Sequence, residues 1–455
     1  MDSFVAAALS SRIMAPLRHL TSPAPRRSSG LVPRPGSALL GALLGGLLAL
    51  GCGSSDGSSA GDEGPGASGG RRGTGGPDGD GGRSGADGGG SSSGGSGGAR
   101  PGGGDSSAAD IARRLGREPN FLIGMGNDLP ESYDWSEAGV HTLPATLDLH
   151  YIYLVGLKGE GGWTDWNEGG WFPYIIGEVD VEHGVTPMST VYGMAAWGEN
   201  RLDVLTEPDF MGPYWDAAKL LFQRLGEDLG APALVHVEPD FWGFAQQATG
   251  GDPSKQAALL HEECSDLPGD VSGVGRCWVK LARTYAPQVV IGLHASLWAD
   301  PDPVAVGEFL NACGGAESDI VVIDMLDRDA GCFEAGELPE CQRGGKFYWD
   351  ETNQTSPNFH EHLDWVGRLF DEMKKPVLWW QLPFGVPSDT PGGEPGRYRD
   401  NRVKYLFENV QEFVDVGGLG ACFGTGAAGQ TYITTDGGQF EDAVVRYYAN
   451  PVPLP

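Results

Sequence analysis

The chain has 455 residues and a formal net charge of −30, with 61 acidic side chains against 31 Lys and Arg. An acidic surface of that size repels phosphate backbones, and no basic run with interleaved aromatics occurs, which argues against a nucleic-acid partner. The length would house two or three average domains, but all 13 Trp lie beyond residue 130, so the core is confined to roughly 108–455.

The N-terminal segment, residues 1–52, reads as an export signal. Residues 38–50 form an apolar run preceded by Arg12, Arg18, Arg26, Arg27 and Arg34. A positive flank, a short apolar stretch and small residues after it describe a secretory leader, and 13 residues are too few to span a bilayer comfortably. Gly51-Cys52-Gly53 closes the run and resembles a bacterial lipoprotein processing site, which implies lipidation at Cys52 and a cell-envelope or extracellular location. Simple cleavage and an uncleaved anchor are the alternatives. The flank before the run is long, and translation starting at Met14 instead of Met1 would shorten it.

Residues 53–107 contain 36 Gly or Ser among 55 and no aromatic residue, Leu, Ile, Val or Met. Such a segment cannot bury enough apolar surface to offset its ordering entropy. It is expected to be a disordered tether with an r.m.s. span of roughly 40 Å.

Residues 108–455 carry a recurring unit, a short apolar run followed by a helical pattern. Eight runs occur, at 121–124, 147–155, 187–192, 233–237, 289–293, 320–323, 376–380 and 419–423. Helical spacing marks 215–229, 277–285, 304–313, 359–373 and 402–414 between them. The first of these stops at Gly230, a natural C-terminal cap, with Pro232 beyond. Residues 156–186, rich in Gly and Trp, read as a long loop. Apolar strands alternating with amphipathic helices imply a parallel sheet covered by helices, and eight units favour a closed (β/α)8 TIM barrel.

Setting Cys52 aside leaves six Cys. Cys264/Cys277 and Cys332/Cys341 are the expected local disulfides, with Cys313/Cys422 as a long-range pair. No Cys-x-x-Cys occurs, so zinc held by cysteines is disfavoured. No dinucleotide-binding Gly-x-Gly-x-x-Gly follows the first strand, and neither a phosphate-binding loop nor a Gly-x-Ser-x-Gly elbow is present.

Catalytic groups of such barrels sit at the C-terminal ends of the strands. These ends hold His150, Tyr192 with Trp197, Glu238-Pro239-Asp240-Phe241-Trp242, His294 with Trp298, Asp324 and Asp327, and Trp379-Trp380-Gln381. Carboxylate pairs perform acid and base work on glycosidic bonds, and indole faces stack on sugar rings. For any one of these residues the ordinary alternative is a core Trp or a helix-capping Asp. Glu238 ends an apolar strand beside Phe241 and Trp242, whose desolvation would raise its pKa as a general acid requires. Pairing at the barrel rim is the structural alternative for that side chain.

Glu238-Pro239 resembles the Asn-Glu-Pro of the large clan of TIM-barrel glycoside hydrolases whose acid/base Glu ends the fourth strand. Val237 departs from the Asn of that motif. The clan's nucleophile is a Glu ending strand seven, where this chain has Trp379-Trp380-Gln381. The resemblance implies a hydrolase acting on a poly- or oligosaccharide, with Glu238 as acid and Asp324, Asp327 or Asp240 as its partner. Tyr192, Trp197, Trp242, Trp298, Trp379, Trp380, Gln381, His150 and His294 would line the substrate site. No cofactor and no catalytic metal are expected, and the protein is expected to act as a monomer. The competing readings are a carbohydrate-binding barrel without turnover, motivated by Gln381, and a metal-dependent hydrolase built on His150, Glu238, Asp240, His294 and Asp324. Arg397, Arg399 and Asp400 open the helix after strand seven and are read as structural, with Asp400 as its cap.

Overall fold

The computed structural model describes residues 106–166, 169–325, 330–336, 339–342, 348–387, 399–426 and 429–455. The leader, Cys52, nearly all of the Gly/Ser tract, Asp327 and Arg397 therefore lie outside the described residues. No helix among the described residues is long and apolar enough to cross a membrane.

Each of the eight apolar runs forms a strand. They are β1 (Leu122–Gly126), β2 (Leu149–Val155), β3 (Thr186–Tyr192), β4 (Leu234–Val237), β5 (Val290–Ala295), β6 (Ile320–Ile323), β7 (Val377–Leu382) and β8 (Gly418–Phe423). All are buried along their length, because helices cover one face and the barrel interior the other. Neighbours pair in parallel, and β8 closes on β1 in a (β/α)8 barrel.

The helical layer holds α1 (Ala108–Arg114), α2 (Phe172–Glu182), α3 (Pro208–Gln223), α4 (Phe241–Thr249), α5 (Val271–Tyr285), α6 (Pro303–Leu310), α7 (Phe359–Met373), α8 (Arg402–Glu408) and α9 (Gln439–Tyr448). The run after α3 continues as a π-helix to Leu229 and stops at Gly230 with φ 64°, the left-handed cap that its sequence suggests. The N-cap of α8 is Asn401 rather than the expected Asp400, which stands one place earlier and accepts the backbone N–H of Arg402 at 3.0 Å. The loop reading of 156–186 needs correction. The segment contains a short helix, Trp163–Trp166, and the 11-residue α2. Glycines and tryptophans masked a helix that buries Phe172, Ile176, Gly177 and Asp180.

Strand alternation separates two environments. Tyr151, Tyr153, Thr190, His236, His294 and Trp380 share the interior, where their rings and hydroxyls meet. The bulk of Tyr151 on β2 is matched by glycine at Gly126 of β1 and at Gly424 just past β8. A Cβ at Gly126 would lie 2.5 Å from the Tyr151 ring, and one at Gly424 would lie 1.8 Å from its hydroxyl. The interior is thus a packed core rather than a pore.

The same alternation explains the cysteines. Cys264–Cys277 and Cys332–Cys341 are disulfides, as their spacing suggests. The expected Cys313/Cys422 pair is absent, and both residues are free and buried. Cys422 points into the barrel against Gly124, whereas the segment carrying Cys313 packs beneath α5 against Gly275. The two sulfurs are on opposite faces of the sheet, and burial pushes both thiols above the ordinary cysteine range. Native alkylation followed by peptide mass spectrometry should therefore leave Cys313 and Cys422 unmodified, with both labelled only in denaturant. Labelling of either thiol in the folded protein would contradict this packing.

Candidate active site

Alternation along β4 directs Leu234 and His236 inward and would send Glu238 the same way. The backbone reverses that expectation. Glu238 adopts φ 51°, a left-handed conformation unusual for a residue with a side chain. Its carboxyl turns into the helical layer. Oε1 accepts the N–H of Gly193 and Oε2 that of Met194, both at 3.1 Å. The Tyr214 hydroxyl on α3 is its third partner and itself accepts Trp278 Nε1 of α5 at 2.7 Å. Glu238 has no solvent exposure. The expectation that it opens into an indole-lined mouth is corrected on this geometry, because its carboxyl is occupied with ordering the turn after β3.

Burial pushes the Glu238 carboxyl up to about 8, against the opposing pull of the Met194 amide, the Tyr214 hydroxyl and the Gly193 amide. The raised value foreseen for a general acid is present, in a side chain with no solvent exposure.

Gln381 shows the converse reversal. By alternation it would face outward beside Trp379. With φ 57° it turns inward, and its Nε2 donates to the Tyr153 hydroxyl and, at 3.4 Å, to the Thr425 carbonyl. Asn127 donates to the same carbonyl at 2.7 Å and to the Thr425 hydroxyl at 3.0 Å. Together these bonds tie the ends of β1, β2, β7 and β8.

Two further subsite candidates are also corrected. Trp379 faces outward, fully buried, and donates through Nε1 to His362 Nε2 at 2.8 Å. Trp242 is buried on α4 and donates to the Val237 carbonyl at 2.9 Å. Trp380 does face the interior, but it is packed between the tyrosines and the pair His236/His294. Those imidazoles share a hydrogen bond of 3.1 Å between His236 Nε2 and His294 Nδ1. Burial, aided by His294, holds His236 well below the usual histidine range, so this ring is neutral at pH 7. His150 is on the outer face of β2, beside Asp180 and Asp128, and takes no part in the mouth. Asp324 is half-buried just past β6.

A different group of carboxylates gathers at the ends of β3 to β5. The Tyr192 hydroxyl donates to Asp240 Oδ2 at 3.1 Å and also meets the carboxyl of Glu199. Two carboxyls that share one hydroxyl are at most about 7 Å apart. Trp298 Nε1 donates to Asp240 Oδ1 at 3.2 Å. Glu199 is buried, and its Oε1 has no hydrogen-bond partner. Desolvation raises its pKa, opposed by the Tyr192 hydroxyl and reinforced by the charge of Asp240. Of the 13 Trp, only Trp197 and Trp298 are exposed. One bonds Asp240, and the other precedes Glu199 by two residues and is held by Glu160 at 2.6 Å. Asp240, Tyr192, Trp197 and Trp298 were legible at strand ends. Glu199 was not, because it sits in a loop seven residues past β3 with no periodic signal.

No protein-family model matches the chain, and no curated protein does. Solved structures similar to it include the GH26 domain of a Prevotella bryantii endo-β-mannanase/endo-β-glucanase, at 10% identity and TM-score 0.40, covering 75% of this chain and 93% of that one. A Thermotoga maritima β-glucosidase in complex with cyclophellitol aligns at 12% identity and TM-score 0.42, covering 73% and 98%. A family 39 glycoside hydrolase from Bacteroides cellulosilyticus WH2 aligns at 13% identity and TM-score 0.40, covering 72% and 63%. The likeness is one of barrel fold.

The geometry of Glu238 sets a stability signature. Its folded value near 8 lies above the unfolded carboxylate value, so the fold favours the neutral form. That contribution is complete below about pH 4.5 and is lost as pH rises toward 8. Melting temperature should fall across this window in the wild type. In Glu238→Gln the fall should flatten, from a lower starting point because an amide NH2 cannot accept a backbone N–H. An unchanged slope in the variant would show that Glu238 is not the titrating group.

Proposed function

We propose that this protein is a glycoside hydrolase whose reactive carboxyls are Glu199 and Asp240. The observation that carries the reading is the sharing of the Tyr192 hydroxyl by these two groups between the two exposed indoles. Hydrolysis of a glycosidic bond needs one carboxyl that stays protonated and a second that acts as nucleophile or base. Glu199 suits the first role, since desolvation raises its pKa and its Oε1 is uncommitted. Asp240 suits the second, since Tyr192 and Trp298 fix both of its oxygens. Trp197 and Trp298 would supply stacking faces for the sugar rings on either side.

In this reading the substrate is a poly- or oligosaccharide approached off the barrel axis, and Asp324 and His294 border the site rather than act in it. The reading extends to the leader and tether. Lipidation at Cys52 would anchor the chain at a membrane surface, with the Gly/Ser-rich residues 53–107 between the anchor and the barrel.

Turnover should be assayed on soluble β-glucans, mannans and xylans and on their aryl glycosides. Glu199→Gln and Asp240→Asn should each lower kcat roughly 10²–10⁴-fold with little change in melting temperature. Wild-type activity should fall as pH rises through the elevated Glu199 value, and Glu199→Gln should lose that limb. Glu238→Gln should alter stability while leaving the activity limb in place. Full activity in both Glu199→Gln and Asp240→Asn would remove the pair from the chemistry. Saccharide binding without turnover in the wild type would instead favour a binding barrel.

A further inference from the structure

A second cluster of ionisable groups lies outside the barrel, between β2 and the helices, and the hydrolase reading does not use it. His141 sits on the short helix Gly139–Thr142, His150 on the outer face of β2 and Asp180 near the end of α2. Their side chains are 1%, 0% and 0% exposed. His150 Nδ1 lies 2.7 Å from Asp180 Oδ1, and His141 Nε2 lies 3.1 Å from the same oxygen. One donor atom from each residue falls within 4.8 Å of the other two.

The internal bonding leaves this cluster incomplete. His141 Nδ1 and Asp180 Oδ2 are buried without a hydrogen-bond partner, and His141 Nε2 has the 3.1 Å approach to Asp180 Oδ1 as its one polar contact, whereas buried polar atoms are ordinarily paired. We propose that His141, His150 and Asp180 bind one divalent transition-metal cation, with zinc the best match. The site would be structural and independent of the hydrolase reading.

Donor chemistry supports that choice. Two imidazole nitrogens and one carboxylate oxygen suit zinc, while calcium and magnesium seek six or more oxygens. Zinc bonds of ~2.0–2.2 Å place tetrahedral donors about 3.3 Å apart. The separations of 2.7 and 3.1 Å to Asp180 Oδ1 reach that with sub-ångström adjustment, and the two imidazole nitrogens, within 4.8 Å of each other, close onto the metal by side-chain rotation. Asp180 Oδ2, buried and unpaired, would be available as a further oxygen donor.

The surroundings provide the outer support that metal-bound histidines usually have. His150 Nε2 lies 3.1 Å from Asp128 Oδ1, so Nδ1 is left for a metal in a carboxylate–imidazole–metal arrangement. Asp128 is held in turn by the N–H of Val140, at 2.6 Å, next to His141. Asp128 and Asp180 bring two negative charges into an unexposed pocket, and a dication would balance both with neutral imidazoles. His183, stacked on His141 at 4.3 Å, is the other titratable ring facing the cluster. A metal here would pin the β1–β2 connection to β2 and α2. That connection starts at Asn127, which bonds Thr425 at the barrel mouth.

The test uses the full-length chain without a histidine tag, stripped with chelator and then titrated with Zn²⁺ or Co²⁺. Elemental analysis should find one zinc per chain, and saturating zinc should raise the melting temperature by roughly 5 °C or more. Cobalt should give the intense visible absorption of a four-coordinate site. His141→Ala and Asp180→Asn should abolish both signals, and His261→Ala, on a distant turn, should abolish neither. If the variants fail to fold, wild-type stoichiometry and the cobalt spectrum decide. Zinc without effect on wild-type melting, a weak six-coordinate cobalt spectrum, or undiminished binding in His141→Ala would overturn the proposal and leave a histidine–carboxylate ion-pair network.

Discussion

The interior of the barrel is filled by Tyr151, Tyr153 and Trp380, and the rest of the architecture accommodates that bulk. Glycine is required where the chain meets the Tyr151 ring. At Gly126 and Gly424 even a methyl group would overlap Tyr151. With the axis occupied by aromatic rings and the neutral His236 beside His294, little room remains there for a charged reacting group. The ionisable side chains are displaced from the axis, either into the helical layer or onto the loops past β3 and β4.

The eight strands were legible in the sequence because a parallel barrel strand is buried on both faces and reads as a continuous apolar run. The helices with clear stops were legible for similar reasons, since Gly230 and Pro232 are local signals. Orientation was less legible. A period of two assigns a face only while the backbone stays extended, and it failed at Glu238 and Gln381, both of which adopt positive φ. Neither residue type advertises a left-handed conformation. Sequence reasoning thus placed Glu238 at the barrel mouth, whereas its carboxyl turns into the helical layer, and Gln381 reaches the interior only through its left-handed step.

Tryptophan was a weak guide for a related reason. A barrel of this size needs large apolar side chains between sheet and helices, and Trp242 and Trp379 serve there, each with its N–H paired. Exposure, which only the structure gives, separates Trp197 and Trp298 from the others. Local disulfides were legible from spacing, while Cys313 and Cys422 were not, because parity of the cysteine count says nothing about which face of a sheet a side chain occupies.

The resemblance that drew attention to Glu238 nonetheless leads to the proposed carboxyl pair by another route. Its two oxygens hold the amides of Gly193 and Met194, the first residues after β3. That turn runs within a few residues to Glu199. On the other side, the left-handed step at Glu238 is followed by Pro239 and then Asp240, itself at φ 65°. Glu238 therefore joins the loops that carry Glu199 and Asp240, and Tyr192, the last residue of β3, closes the arrangement with its hydroxyl between the two carboxyls. Backbone strain of order 1 kcal/mol per left-handed residue persists only where surrounding contacts over-determine it. Two such residues in three positions, braced by buried hydrogen bonds, are what holding a pair of like-charged groups at short range would require. On this view Glu238 is a positioning residue that braces the loops carrying Glu199 and Asp240.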